Sequence, residues 1–198
     1  LGAQDVIVLP AFGVTTADME RFGRMGCTLV DTTCGSVLNV WKNVVRYAQE
    51  GFTAVIHGKV KHEETRATIS QITKYPEGKY LVVKNIPETN IVTDYILGRG
   101  DRGLFLRTFA PSMSPGFDPD RDLGRIGLAN QTTMMCSESL EIQRLLREAV
   151  VTRHGEGATA ERFIAFDTIC SATQDRQDTL LALLRSVKHL DLVLGGGG

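Results

Sequence analysis

An α/β fold with parallel sheets and crossover helices is what this sequence predicts, on three observations. Short β-branched runs alternate with amphipathic helical patterns along the chain. The runs are separated by glycine-containing turns at spacings that suit strand–helix–strand units. Four strand-to-helix turns carry chemically capable polar residues, and ligands of open parallel sheets sit at the carboxyl ends of strands.

The elements follow in order. Val6-Ile7-Val8-Leu9 is a buried-strand run ended by Pro10. Thr15 or Thr16 caps the next helix, with Asp18 three residues after Thr15, and Gly26 stops it. Cys27-Thr28-Leu29-Val30 reads as a second strand leading into Asp31-Thr32-Thr33-Cys34. Val37, Val40, Trp41, Val44, Val45 and Ala48 then share one helical face, closed by Gly51. Strands are predicted at 52–56 and 79–83, and a helix over 87–97. The glycine-rich and proline-rich stretch 98–125 reads as a long loop with one short helix around 104–109. Alternation resumes with a strand at 127–129, a helix over 137–150, a strand at 163–166, a helix over 174–187 and a last strand at 190–194.

Composition narrows the classes. Of 198 residues, 42% are hydrophobic and 23% charged, which suffices for the core of one large domain or two small ones. The formal net charge of −1 gives no sign of a nucleic-acid partner. No apolar run approaches the roughly 20 residues of a membrane helix. The chain starts at Leu1 without an initiator Met and stops at four glycines after strand-like Leu192-Val193-Leu194, so both ends read as cuts through a longer chain.

The four cysteines, Cys27, Cys34, Cys136 and Cys170, suit reduced thiols or metal-bound thiolates better than a disulfide framework. Cys34 and Cys170 each stand at a strand end before a helix, where backbone N–H groups favour a thiolate. From spacing alone the favoured reading is two small buried hydrophobes. His62, Glu63 and Glu64 form a turn that can bind phosphate and move protons, or a solvated charged turn beside Lys59 and Lys61. Asn130-Gln131-Thr132-Thr133 offers donors to an anion at a helix start, or a plain helix cap. His57, ending an apolar strand, reads as structural. Cys27 reads as core, and Cys136 has no partner nearby in sequence.

Taken as a set, these turns carry a resemblance. Val30-Asp31-Thr32-Thr33-Cys34, Val40-Trp41, the run from Ile56 to Thr65 containing His57-Gly58 and His62-Glu63-Glu64, Ala129-Asn130-Gln131-Thr132-Thr133-Met134, and Asp167-Thr168-Ile169-Cys170-Ser171-Ala172-Thr173-Gln174 occur in one order. That order resembles the 4-hydroxy-3-methylbut-2-enyl diphosphate reductases, the IspH or LytB family. Asp94-Tyr95-Ile96-Leu97-Gly98 and the segment from Ser114 to Asp122 look like its plant and cyanobacterial branch.

The resemblance implies Rossmann-like α/β domains in a three-domain, trefoil-like arrangement around a 4Fe–4S cluster held by three cysteines. It implies removal of the substrate hydroxyl as water, using two electrons and two protons, to give isopentenyl and dimethylallyl diphosphates. Cys34 and Cys170 then match cluster ligands, His62 a diphosphate-binding residue, Glu64 the proton-supplying acid, and Thr132 the threonine linking that acid to the substrate hydroxyl. Thr133 joins the substrate-binding set. Residues 1–34 would be the remainder of a first domain, 35–166 a second domain with an insertion at about 98–125, and 167–198 the start of a third. The implied setting is cytoplasmic, with a protein electron donor such as ferredoxin and no nucleic acid or membrane.

Five departures stand against the family pattern, one of them the absence of a later serine of the diphosphate site. A first cluster cysteine is expected upstream of Leu1, and a Ser-x-Asn motif after the last strand. Phe12 stands where the bacterial branch has histidine, and Gly35 where proline is usual. The expectation is therefore a piece of a reductase, inactive by itself and self-associating through uncovered apolar surface. The competing readings are a non-catalytic phosphate-binding or oligomerising module, and a zinc site built from Cys34, Cys170 and His62.

Overall fold

The computed structural model describes residues 2–166 and 172–187. Its architecture is the predicted α/β one, built on two parallel sheets. A two-stranded sheet pairs β1 (Val6–Leu9) with β2 (Thr28–Asp31), joined through α1 (Thr16–Arg24). Thr15 is the cap of α1: its hydroxyl accepts the Asp18 N–H at 3.2 Å.

The second sheet has the order β4-β3-β5-β6, all parallel. Its strands are β3 (Thr53–His57), β4 (Lys79–Val83), β5 (Ile126–Asn130) and β6 (Phe163–Ala165). Every residue of β3 and β5 is buried, as continuous apolar runs covered by helices on both faces require. The register sets His57 beside Asn130 and Val83, so the chain leaves all three strands at one edge.

Helices cover the sheet. α2 (Gly35–Gln49) buries Val37, Val40, Val44 and Ala48 of the face its periodicity predicts, together with Tyr47, and leaves Trp41 and Val45 half-buried. The Tyr47 hydroxyl donates to the Leu128 carbonyl at 2.8 Å, and its ring lies over Gly127, where a Cβ would stand 2.6 Å from the ring carbons. Beside it is α3 (Glu63–Ile72). α4 (Ile86–Ile96) packs against α7 (Cys136–His154). A short turn of 3-10 helix (Glu156–Ala158) and α8 (Thr159–Arg162) lead into β6, and α9 (Ala172–Ser186) follows. The predicted last strand at 190–194 lies outside the described residues. Among the described residues, no helix is long and apolar enough to cross a membrane.

The stretch 98–125 corrects the sequence reading. It holds two short helices, α5 (Arg102–Phe109) and α6 (Pro119–Asp122), each with an aspartate cap. Phe105 and Phe109 are fully buried with ring centroids 4.8 Å apart, and Phe117 stacks on Phe105. Aromatic burial makes this segment part of the core. It also covers the free edge of β4: the Val82 N–H donates to the Ser112 carbonyl (2.7 Å) and the Ser114 N–H to the Tyr80 carbonyl (3.0 Å).

Two glycine substitutions test this packing. Gly127→Ala, driven into the Tyr47 ring, is expected to cost about 1–3 kcal/mol in urea unfolding. Gly23→Ala, on an open face of α1 with no atom within 4 Å of the new methyl, should instead stabilise by roughly 0.5–1 kcal/mol. Equal effects of the two would show that Gly127 is not confined as described.

Candidate functional site

The site is assembled where β3 and β5 end. His62 is the N-cap of α3, and its Nδ1 accepts the Glu64 N–H at 3.2 Å. That bond assigns the proton of the neutral ring to Nε2, leaving a donor free for a ligand. Glu63 is exposed and pairs with Arg66. Glu64, one residue on, turns inward and is only 1% exposed. The charged-turn reading therefore holds for Glu63 and fails for Glu64.

Glu64 is held from across the sheet. Its Oε1 accepts the Thr132 backbone N–H at 2.5 Å and its Oε2 the Thr132 hydroxyl at 3.0 Å. Burial raises the pKa of this carboxyl above the usual carboxylate value, and the two Thr132 bonds and nearby His62 offset only part of that. The result is a buried acid that keeps its proton to higher pH than an ordinary glutamate.

Gln131 stitches the same two turns together. Its Oε1 accepts both the Lys59 N–H and the Thr65 hydroxyl at 3.0 Å, while its Nε2 donates to the Thr133 hydroxyl at 2.6 Å. The close approach needs Gly58, where a Cβ would meet the Thr65 hydroxyl at 2.9 Å and Gln131 Cβ at 3.0 Å. Neither Thr132 nor Thr133 caps α7. That helix begins after Met135 with no side-chain cap bond, so the plain-cap reading of this turn fails. The role of Gln131 escapes sequence reasoning because its partners Lys59 and Thr65 are 72 and 66 residues away.

His57 lies beneath, fully buried, with Nδ1 at 2.8 Å from the Ser139 hydroxyl and Nε2 at 3.6 Å from Glu138. Burial lowers its pKa to about 4, partly offset by the Lys84 backbone. It is therefore a neutral structural pin between β3 and α7, as its place on an apolar strand predicts.

Cys34 reaches the site through the loop after β1. It is exposed, stands at the N-cap of α2, and its N–H donates to the Ala11 carbonyl at 2.8 Å. Phe12, next along, meets the His62 ring edge-on at a centroid distance of 6.3 Å. Gly13 packs under the Trp41 ring with φ +75°, a conformation only glycine adopts freely. The chain of contacts Cys34–Ala11, Phe12–His62 and Glu64–Thr132 thus links three strand ends. Cys170 lies outside the described residues. Cys27 is half-buried rather than core, and Cys136 is the first residue of α7. Among the described residues no three metal-ligating side chains gather into one group, and the zinc reading has only Cys34 and His62 described.

The family description matching the chain, over residues 2–197, is LytB protein. The chain belongs to the LytB family. It is 51% identical over 192 residues to the 4-hydroxy-3-methylbut-2-enyl diphosphate reductase of Synechococcus sp. (strain RCC307), covering 97% of this chain and 46% of that relative. It is 47% identical over the same length to the reductase of the same name from Thermosynechococcus vestitus, again covering 46% of the relative. The chain therefore spans about half the length of the curated relatives it matches. Among solved structures, the (E)-4-hydroxy-3-methyl-but-2-enyl diphosphate reductase described as the terminal enzyme of the non-mevalonate pathway superposes with a TM-score of 0.59 at 21% identity, covering 94% of this chain and 53% of that one. The Plasmodium falciparum E-1-hydroxy-2-methyl-but-2-enyl-4-diphosphate reductase gives 0.62 at 16%, with coverages of 94% and 46%. These two likenesses establish the fold.

The buried acid predicts a pH signature. Because its folded pKa is raised, Glu64 contributes stability that is complete below the ordinary carboxylate pKa and lost as pH rises through the raised value. The loss has a limiting slope of about 1.4 kcal/mol per pH unit. Urea midpoints of wild type and Glu64→Gln should therefore converge at low pH and diverge above it, with the variant the less pH-dependent. Parallel curves would contradict the raised pKa. Glu64→Ala, which strands both Thr132 donors, should cost about 1–3 kcal/mol.

Proposed function

We propose that this chain is part of a reductase that removes the hydroxyl of 4-hydroxy-3-methylbut-2-enyl diphosphate to give isopentenyl and dimethylallyl diphosphates. The observation that carries the proposal is the buried Glu64, bonded through both oxygens to Thr132 at the sheet's carboxyl edge, with its pKa raised by burial. Membership of the LytB family and the reductase names of its relatives support it.

The roles follow from the chemistry of each group. Glu64 holds a proton in a dry position and gives it to the departing oxygen as a general acid. Thr132 passes it on once their 3.0 Å contact reverses: the Glu64 carboxyl donates its proton to the Thr132 hydroxyl oxygen, which gives its own hydrogen to the departing oxygen. The free Nε2–H of His62 and the hydroxyl of Thr133 offer donors to the diphosphate.

A 4Fe–4S cluster, when bound, supplies single electrons and an open Lewis-acid iron. Cys34, exposed at the start of α2, fits as one ligand. Cys170 is proposed as another, with a third thiolate from beyond these two. We further propose the division into 1–34, 35–166 and 167–198, a cytoplasmic setting, and a low-potential electron donor such as ferredoxin. On this reading the 198-residue stretch does not turn over by itself, and it self-associates through Val6, Val8 and Val30, which stand exposed on the two-stranded sheet.

Trp41 is the sole tryptophan and packs on the loop beside His62, which makes its fluorescence a direct probe. Titration with the diphosphate substrate should change it saturably, and His62→Ala should weaken the binding by about tenfold, roughly 1.4 kcal/mol. Anaerobic reconstitution with iron and sulfide should give visible and paramagnetic resonance signals that Cys34→Ala and Cys170→Ala each abolish. Binding indifferent to His62, together with cluster signals indifferent to both cysteines, would overturn the proposal.

A further inference from the structure

The far end of the four-stranded sheet carries charge that the proposed reaction does not use. Glu64 and Thr132 follow the carboxyl ends of β3 and β5. At the opposite edge, Gly124 leads into β5 and Arg162 into β6, while α4 ends beside Gly98 and α7 ends at His154. Between them lies a cleft of about 420 Å³ lined by Arg102, Asp120, Arg153, His154 and Arg162 among others.

The charges do not cancel. Arg102 is committed to Asp118 and Asp120, and Asp120 also accepts the Tyr95 hydroxyl. Arg162 is half-buried and donates to the Gly124 carbonyl at 3.1 Å, which orients the guanidinium without neutralising it. Arg153 has no carboxylate partner among the described residues. Its guanidinium lies over Gly98, 3.6–4.0 Å from where a Cβ would stand, and that residue has φ +74°. The pKa of His154 is lowered by partial burial, then by the positive charges of Arg162 and Arg153, so both arginines act on one imidazole. Among the described residues Asp120 is the one acidic side chain on the wall, and it is already paired. Two unmatched guanidinium groups and an imidazole around one small cleft make a receptor for a compact polyanion.

We propose that this cleft binds a phosphate-bearing small molecule, through Arg153, Arg162 and His154, at a site separate from the Glu64 site. The segment 98–125, which the proposed reaction leaves without a role, builds one wall of it. Exposed arginines alone would attract any anion weakly and through bulk screening. Here the oriented Arg162, the unpaired Arg153 and His154 line one cleft, so their charge is concentrated at one place.

Inorganic diphosphate is the probe, and the His154 ring proton resonances are the readout, titrated against chloride at matched ionic strength. The expected result is a saturable His154 shift with a Kd of about 1 mM or tighter. Arg153→Glu should weaken it by at least about tenfold, and Arg153→Gln by less. The His62 response, which reports the other site, should be unchanged in both variants. Because Arg153 is exposed, the buried His57 resonance should hold its place and certify the fold. A His154 shift that follows ionic strength alone, one that survives Arg153→Glu, or a response confined to His62 would each overturn the proposal. Loss of the His62 response with His154 intact would count only against the proposed reductase site.

Discussion

A carboxyl group removed from water must find donors, and its pKa rises with burial; Glu64 has both features. Its two oxygens take the N–H and the hydroxyl of a single residue, Thr132, on a turn 68 residues away. That demand ties the start of α3 to the turn before α7 and requires β3 and β5 to be neighbours. Gln131 and His57 brace the same junction from either side, Gln131 by bonding the turn after β3 and His57 by reaching Ser139 on α7. Without these bonds the edge of the sheet would present several buried polar groups with no partners, at a cost of about 1–3 kcal/mol each.

The junction also organises what lies outside the main sheet. The loop after β1 reaches it through Phe12 on His62, and Thr16 N–H reaches Ser70 on α3 at 3.0 Å. The smaller sheet, and with it Cys34, is thereby carried to the same edge. Glu64 and His62 on the turn into α3, Thr132 on the turn after β5 and Cys34 at the start of α2 come from three separate strand-to-helix turns. This is the use that parallel sheets make of their carboxyl ends.

Much of the fold was legible because local physics and tertiary structure agree. The periodic face of α2 is the face it buries, and the unbroken apolar run of β3 is a fully buried central strand. The segment 98–125 was legible only in its short helix, where Phe105 and Phe109 share an i, i+4 face; its glycines and prolines signal turns elsewhere, and the burial of Phe117 follows no local period. At the site, spacing alone left Glu64 open as a solvated residue, since burial of one glutamate beside an exposed one depends on the Thr132 turn meeting it. The pattern of turns pointed to the family, and the family match over 2–197 agrees. The roles of His62, Glu64, Thr132, Thr133, Cys34 and Cys170 are proposals that rest on that resemblance together with the geometry.

The most direct test is to label glutamate side chains with carbon-13 and follow the Glu64 carboxyl resonance through a pH titration, with Glu64→Gln identifying the signal. The expected midpoint lies above the usual carboxylate range and moves further up in Thr132→Val, which removes a hydrogen bond that favours the ionised form. A Glu64 midpoint within the ordinary range in the intact chain would mean that the acid is solvated, and would contradict the buried proton donor on which the proposed reaction depends.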